Sequence, residues 1–369
     1  NYAVQSIQLL LAMAQREGVG PLLYWKLSKS GEFASLPEEA RGALRAMYAR
    51  TWAYNQKIFE ELRRLVQLFH KKDIPVVVLK GACFALTIYP DIGLRPMGDL
   101  DILVPAARLD EAVEMAGSLG YAEARPEASP GLNDLLSHHV CLQKPGSITL
   151  ELHDNLVGEK SFAYAAPVDW FWEQTEPLGS SSKDRFEHLL MLTPTAQLLY
   201  AASHAMLQHG GDKTPLRWYY DLDQLIRLSS SHLDWDLLLM QARKFEWSSA
   251  LWAALARTQD YFGTAVPEMV CVCLSRQTDR HASLVKKKQI PPGTKILLEN
   301  QKLASLNWYG KIRLVLALLV PSPAYMRWRY KLKNLWELPF YYPFRWWGIG
   351  RDAVYTVIEL LKRQFALRT

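Results

Sequence analysis

Residues 76 to 104 read VVVLKGACFALTIYPDIGLRPMGDLDILV, and this stretch decides the fold. It opens inside a short β-branched run, Ile74 to Leu79, that predicts a buried strand. Lys80-Gly81 breaks the run, and Ala82 to Tyr89 resumes helical spacing. Asp99 to Val104 (DLDILV) predicts a second strand, stopped by Pro105. The order is strand, glycine turn, helix, then a strand carrying two acids.

On a strand, side chains two apart share a face. Asp99, Asp101 and Leu103 therefore face one way, while Leu100, Ile102 and Val104 point into a core. Further on, His139 to Gln143 and Ile148 to His153 flank Lys144-Pro145-Gly146-Ser147. Pro followed by Gly at the central positions suits a type II turn, so the pair predicts a hairpin. Its second strand buries Ile148, Leu150 and Leu152 and presents Thr149, Glu151 and His153. If this strand neighbours the DLD strand, Asp99, Asp101 and Glu151 converge. Three close anions persist at neutral pH only when a cation compensates them. Mg²⁺ favours carboxylates, water and phosphate oxygens, and two such ions can clamp an in-line phosphoryl displacement. An isolated DxD is more often a solvated strand end; here the glycine turn before it and the acidic strand after it reverse that reading. Gly81 would let backbone N–H groups approach a phosphate at a helix start.

Working outward, the first segment is helical, through Ile7, Leu10, Leu11 and Ala14, then Leu44, Ile58, Leu62, Leu65 and Phe69, closing at Lys71-Lys72-Asp73. Arg108 to Leu119 predicts a helix ending at Gly120. After a junction at Ser180-Ser181-Ser182 the pattern turns mainly helical: Leu189 to His209, Leu216 to Leu228 and Leu233 to Phe262, then a Lys/Pro-rich loop from Lys286 to Gly293. The expected architecture is α+β. A small mixed-sheet core (73–180) is flanked by an N-terminal helical segment (1–72), a helical domain (181–305) and a basic, aromatic-rich helical C-terminal segment (306–369).

The motif from Val76 to Val104 resembles the DNA polymerase β-like nucleotidyltransferase superfamily. More narrowly, "LKG", "R-x-x-x-D-L-D-I-L-V" and the later "LELH" resemble the bacterial uncharacterised nucleotidyltransferase family, related to abortive-infection nucleotidyltransferase toxins. The specific motifs span 74–155; a weaker likeness continues through His204, His209 and the LRWYYDL segment at 216–222. The resemblance implies that Asp99, Asp101 and Glu151 bind Mg²⁺, two ions with Mn²⁺ as an alternative. It also implies an NTP co-substrate, ATP among the options, bound by Lys80, Gly81, Ala82, Arg95 and Arg217. Relatives carry Ser or Gly after the turn glycine, whereas Ala82 supplies only its backbone; Lys80 is placed to compensate with charge. Arg95 either meets phosphate or pairs with an acidic neighbour. Arg217 either joins a helix salt bridge with Asp221 or reaches the phosphates, with Trp218 or Tyr219 lining a base pocket. The acceptor would be a hydroxyl or phosphate on a small molecule, a peptide natural product or a protein. The alternatives are a non-catalytic nucleotide-binding scaffold on a degenerate core and a tRNA-modifying toxin; nucleic acid is not the favoured partner.

His204 and His209 are five residues apart, about 140° around an α-helix, which is poor spacing for a shared metal. They are expected in core or capping roles, leaving His153 as the one histidine near the site.

Composition sets the outer limits. Of 369 residues, 49% are hydrophobic and 22% charged, which excludes a disordered or collagen-like chain. Four cysteines, none in a CxxC pair, predict reduced thiols and a cytoplasmic protein. Asn1 to Gln15 lacks the pattern of a secretory signal; the chain begins without Met, so an earlier start is expected. The net charge of +6 is unevenly placed. Residues 306–369 hold 11 Lys/Arg against 3 Asp/Glu, while the preceding 305 hold 32 against 34. That segment interleaves basic and aromatic side chains, a composition suited to an acceptor, to nucleic acid or to weak membrane-surface association. Its longest apolar run, Leu314 to Val320, is about a third of a membrane span.

Overall fold

The computed structural model describes residues 2–126, 128–129, 137–156, 167–178, 186–209, 214–277, 279 and 308–366. Helices α1 (Tyr2–Arg16), α2 (Gly20–Ser30) and α3 (Glu38–His70) lead into β1 (Val76–Val78), α4 (Lys80–Thr87), β2 (Asp99–Leu103) and α5 (Leu109–Ser118). Then come β3 (Ala122–Glu123), β4 (His139–Gln143), β5 (Thr149–His153), α6 (Val168–Glu173), β6 (Thr175–Pro177) and β7 (Leu189–Leu192). Helices α7 (Pro194–Ser203), α8 (Leu216–Leu228), α9 (Trp235–Lys244), α10 (Ser248–Phe262) and α11 (Glu268–Ser275) follow. Last are α12 (Trp308–Leu319), α13 (Pro323–Tyr330) and α14 (Leu338–Ala366). The strands form one mixed sheet in the order β3-β4-β5-β2-β1-β7-β6. This is the α+β architecture expected.

The chain divides into two compact units, one of residues 1–122, 139–157 and 166–286, the other of 123–138, 158–165 and 287–369. The first is built on the sheet. Ile58, Leu62, Leu65 and Phe69 line one face of α3 at helical spacing and pack with Ala112 and Ala116 of α5 against Leu100, Ile102, Leu150 and Leu152. All four sheet residues are fully buried; each contributes roughly 1.5–3 kcal/mol. Because strand side chains alternate, burying this face turns Asp101, Glu151 and His153 to the other.

The hairpin forms as predicted. Gly146 takes φ +71°, Ser147 N–H donates to the Lys144 carbonyl at 3.0 Å, and the turn pairs His139 with His153 and Cys141 with Glu151. Two helix predictions, Leu189 to His209 and Leu233 to Phe262, need correction. Leu189–Leu192 is a strand, pairing parallel with β1 (Val76↔Leu189) and antiparallel with β6. An apolar run of four has no period of its own, so its partners decide; Pro194 then starts α7. The helical pattern from Leu233 to Phe262 breaks at Glu246 (φ +58°), and fully buried Trp247 packs tilted against Phe171 and edge-on to Phe245 there. His204–Gln208 winds as a π-helix rather than continuing α7. The expected junction at 180–182 and the loop at 286–293 lie outside the described residues.

Candidate active site

Strands β2 and β5 run parallel in a register that places Asp101 opposite Glu151, Asp99 opposite Thr149 and Leu103 opposite His153. The three acids named from the sequence therefore meet on one face. Asp101 is the most enclosed, at 4% exposure. It accepts from Lys80 Nζ at 2.6 Å and from His153 Nε2 at 2.9 Å. Glu151 lies 3.9 Å from Lys80 Nζ, 3.4 Å from His153 Nε2 and 3.9 Å from His139 Nε2. Lys80 is thus the cation that joins Asp101 to Glu151.

The charges respond to this packing. Burial alone would raise the Asp101 carboxyl, but Lys80 and His153 hold it well below the usual carboxylate range. At Asp99 the balance reverses: burial, then the neighbouring Asp101 and Glu151 charges, outweigh Lys80 and His153 and push it up to about 6. Burial would lower Lys80, yet Asp101 and Glu151 keep it raised. His153 is also raised, its contacts with Asp101 and Glu151 outweighing burial and Lys80. Burial and nearby His153 lower His139 to about 4.

At the turn Lys80 adopts the left-handed conformation (φ +46°). A non-glycine residue in this region carries local strain, a feature that concentrates at functional sites. Here the turn aims Nζ into the acidic cluster. Gly81 matters for space, since a Cβ there would lie 3.1 Å from Met97 and 3.3 Å from the Arg95 guanidinium. The Ala82 side chain enters the core, leaving its backbone at the first turn of α4.

Arg95 and Arg217 have different surroundings. Arg95, 5% exposed, binds Asp221 through Nε at 3.0 Å and a second guanidinium nitrogen at 2.7 Å. Tyr89 Oη donates to the same carboxylate at 2.7 Å, and Asn55 Nδ2 donates to the Arg95 carbonyl at 2.8 Å. This buried network fixes the loop leading to β2. Asp221 is therefore paired with Arg95, not with Arg217 as one sequence reading had it. Arg217 lies over Gly18, where a Cβ would collide with its guanidinium, and its buried Nε has no hydrogen-bond partner. Burial and the Arg95 charge lower its pKa.

The histidine expectation needs correcting. A π-turn brings residues five apart over one another. The His204 and His209 rings stand 4.8 Å apart and both meet Trp218, at 5.2 and 4.9 Å. His204 is buried, and burial and the Lys80 charge hold its pKa well below the ordinary value. Burial and Lys80 also lower His209. Tyr200, fully buried, is raised by burial while Lys80 opposes. His153 is consequently one of several histidines here. His139 was recoverable from the hairpin register, whereas nothing in the α-helical spacing announced His204 and His209.

The donor set fits a divalent cation. Ligand atoms of Asp101, Glu151 and His153 all lie within 4.8 Å of one another. Carboxylates suit Mg²⁺ and Mn²⁺, and an imidazole adds preference for the softer of the two.

A structural comparison finds the antibiotic-resistance factor ANT(2'')-Ia at 13% identity and TM-score 0.35, covering 55% of this chain and 97% of that one. Another finds an antigenic nucleotidyltransferase-like protein from Paracoccidioides brasiliensis at 14% identity and TM-score 0.37, covering 62% and 96%. No curated protein matches significantly. The family model described as "Uncharacterised nucleotidyltransferase" matches residues 4–263, from the first helix through α10 and the whole acidic cluster. The chain belongs to this nucleotidyltransferase family.

Proposed function

We propose that this nucleotidyltransferase moves a nucleoside monophosphate from an NTP, ATP among them, to a hydroxyl or phosphate acceptor, releasing pyrophosphate with Mg²⁺ or Mn²⁺ bound. The observation that carries this reading is the β2–β5 register, with Asp101 opposite Glu151 and Asp99 two residues away. Asp99, Asp101 and Glu151 would hold the metal, with His153 hydrogen-bonded to Asp101. A bound divalent ion supplies charge stabilisation to the α-phosphoryl group and to the leaving pyrophosphate.

The chain's own groups then have distinct tasks. Asp101, held ionised by Lys80 and His153, is a poor proton acceptor and a good ligand. Glu151, with its side chain 20% exposed, is more accessible and takes the acceptor's proton. The acceptor oxygen bonds to the α-phosphorus as the bond to the β-phosphate oxygen breaks, and that electron pair leaves on pyrophosphate. Arg217, a cation whose Nε lacks a partner, and the first-turn backbone of Gly81 and Ala82 bind the triphosphate. Lys80, beside Asp101 and Glu151, would supply positive charge near the phosphates. Arg95, committed to Asp221, positions the loop.

The acceptor class is a small molecule, a peptide natural product or a protein. Four free thiols support a cytoplasmic setting. The test incubates wild type and the Asp99→Ala/Asp101→Ala variant with each α-labelled NTP, Mg²⁺ and candidate acceptors. Label transferred by wild type alone supports the reading; equal transfer by both proteins contradicts it.

A further inference from the structure

The second unit inverts the usual placement of apolar side chains. At about 100° per residue, α12 has two apolar faces. Gly310, Leu314 and Ala317 are buried. On the opposite side, Trp308 (73% exposed), Ile312, Val315, Leu316 (51%) and Leu319 form a continuous apolar arc in solvent. Lys311 and Arg313 flank that arc, one on each side. Helix α14 presents a second exposed apolar row, Phe340, Phe344, Trp347 and Val354 at i, i+4, i+7 and i+14, with exposed Arg351 on the same face.

The two exposed faces belong to one tied structure. Arg345 Nε donates to the Leu318 carbonyl at 2.8 Å, and Trp346 Nε1 to the Leu319 carbonyl at 2.6 Å. Tyr342 Oη donates to the Pro321 carbonyl at 2.7 Å. These donors satisfy carbonyls at the α12 C-terminus and hold α14 against it.

We propose that this unit docks on an anionic lipid surface, with the exposed faces of α12 and α14 in the interfacial layer. Residues 306–369 carry 11 basic against 3 acidic side chains, which complements a negative headgroup layer. Apolar residues inside a basic rim match the pattern of helices lying in an interface plane. No described helix is long and apolar enough to cross a membrane, so the geometry is that of lying on the surface. A second copy of the chain would bring like charges together. Nucleic acid would engage the basic and aromatic groups but leave Ile312, Val315, Leu316 and Leu319 without a partner.

Sedimentation of the full chain with sucrose-loaded vesicles tests this, using phosphatidylcholine with and without phosphatidylglycerol. Binding should require phosphatidylglycerol and weaken with salt. Leu316→Glu or Trp347→Glu should each reduce partitioning about tenfold or more, with the circular dichroism of wild type retained. Lys311→Ala should cost about fivefold. Leu228→Glu, at an exposed apolar site on α8, should leave binding unchanged. Absent vesicle binding, or equal binding to neutral vesicles, overturns the proposal. So does a dimer or a tRNA complex that Leu316→Glu abolishes while vesicle binding is unaffected. The assay needs no turnover, so its outcome is independent of the catalytic reading.

Discussion

In the sheet-based unit, charged groups lie inside: Asp101, Asp221, Arg95 and His153 are all buried. In the C-terminal unit, Trp308, Phe340 and Trp347 lie outside, each at least 70% exposed. Both placements oppose the ordinary partition of polar and apolar surface, and each is held by a different device. Inside, Lys80 faces Asp101 and Arg95 faces Asp221 at short range. Outside, the apolar arc of α12 lies between Lys311 and Arg313. The contrast teaches that an unfavourable placement persists where a partner, in the chain or beyond it, compensates it.

Removing a partner inside the first unit should have the largest consequence. Asp101→Asn should lower nucleotidyl transfer at least about 10³-fold while leaving the fold intact, read from initial rates and circular dichroism. Asp221→Ala strands the buried Arg95 guanidinium and should lower stability by about 3–5 kcal/mol in urea unfolding. Unchanged stability would mean that Arg95 has another route to water.

Asp99 gives a smaller, pH-dependent effect. Its carboxyl is raised from 3.8 to about 6, so the native state holds this proton more tightly than the unfolded chain. The associated stability is fully present below about 4 and is lost as pH rises through about 6. In chelator, Asp99→Asn should therefore gain about 1–2 kcal/mol over wild type near pH 7.5 and nothing near pH 4. A gain independent of pH would break the assignment.

The smallest effect belongs to the outer face. Leu316→Glu should change stability by less than about 0.5 kcal/mol, against about 3 kcal/mol for Leu150→Ala in the core. Equal losses would show that the α12 arc is packed rather than free.

Much of the site was legible because strand alternation and turn chemistry are local. Leu100 and Ile102 against Asp99 and Asp101 fix which side of β2 faces the core, and Pro145-Gly146 fixes the hairpin register. The parallel pairing of β2 with β5 was a conditional, and the apolar runs on both strands made it plausible. What escaped was set by tertiary partners. Leu189–Leu192 becomes a strand because β1 and β6 offer their edges. The π-turn at 204–208 aligns two histidines that α-helical counting separates. The left-handed backbone of Lys80 also escaped, since that conformation is uncommon for any residue but glycine and nothing in the local sequence announced it.

The most direct measurement of the central claim is anomalous diffraction from a crystal soaked in Mn²⁺ and a non-hydrolysable NTP analogue. The account predicts manganese bounded by Asp99, Asp101 and Glu151, with the triphosphate beside the first turn of α4. Manganese bound elsewhere, or an analogue seated away from those three carboxylates, would contradict it.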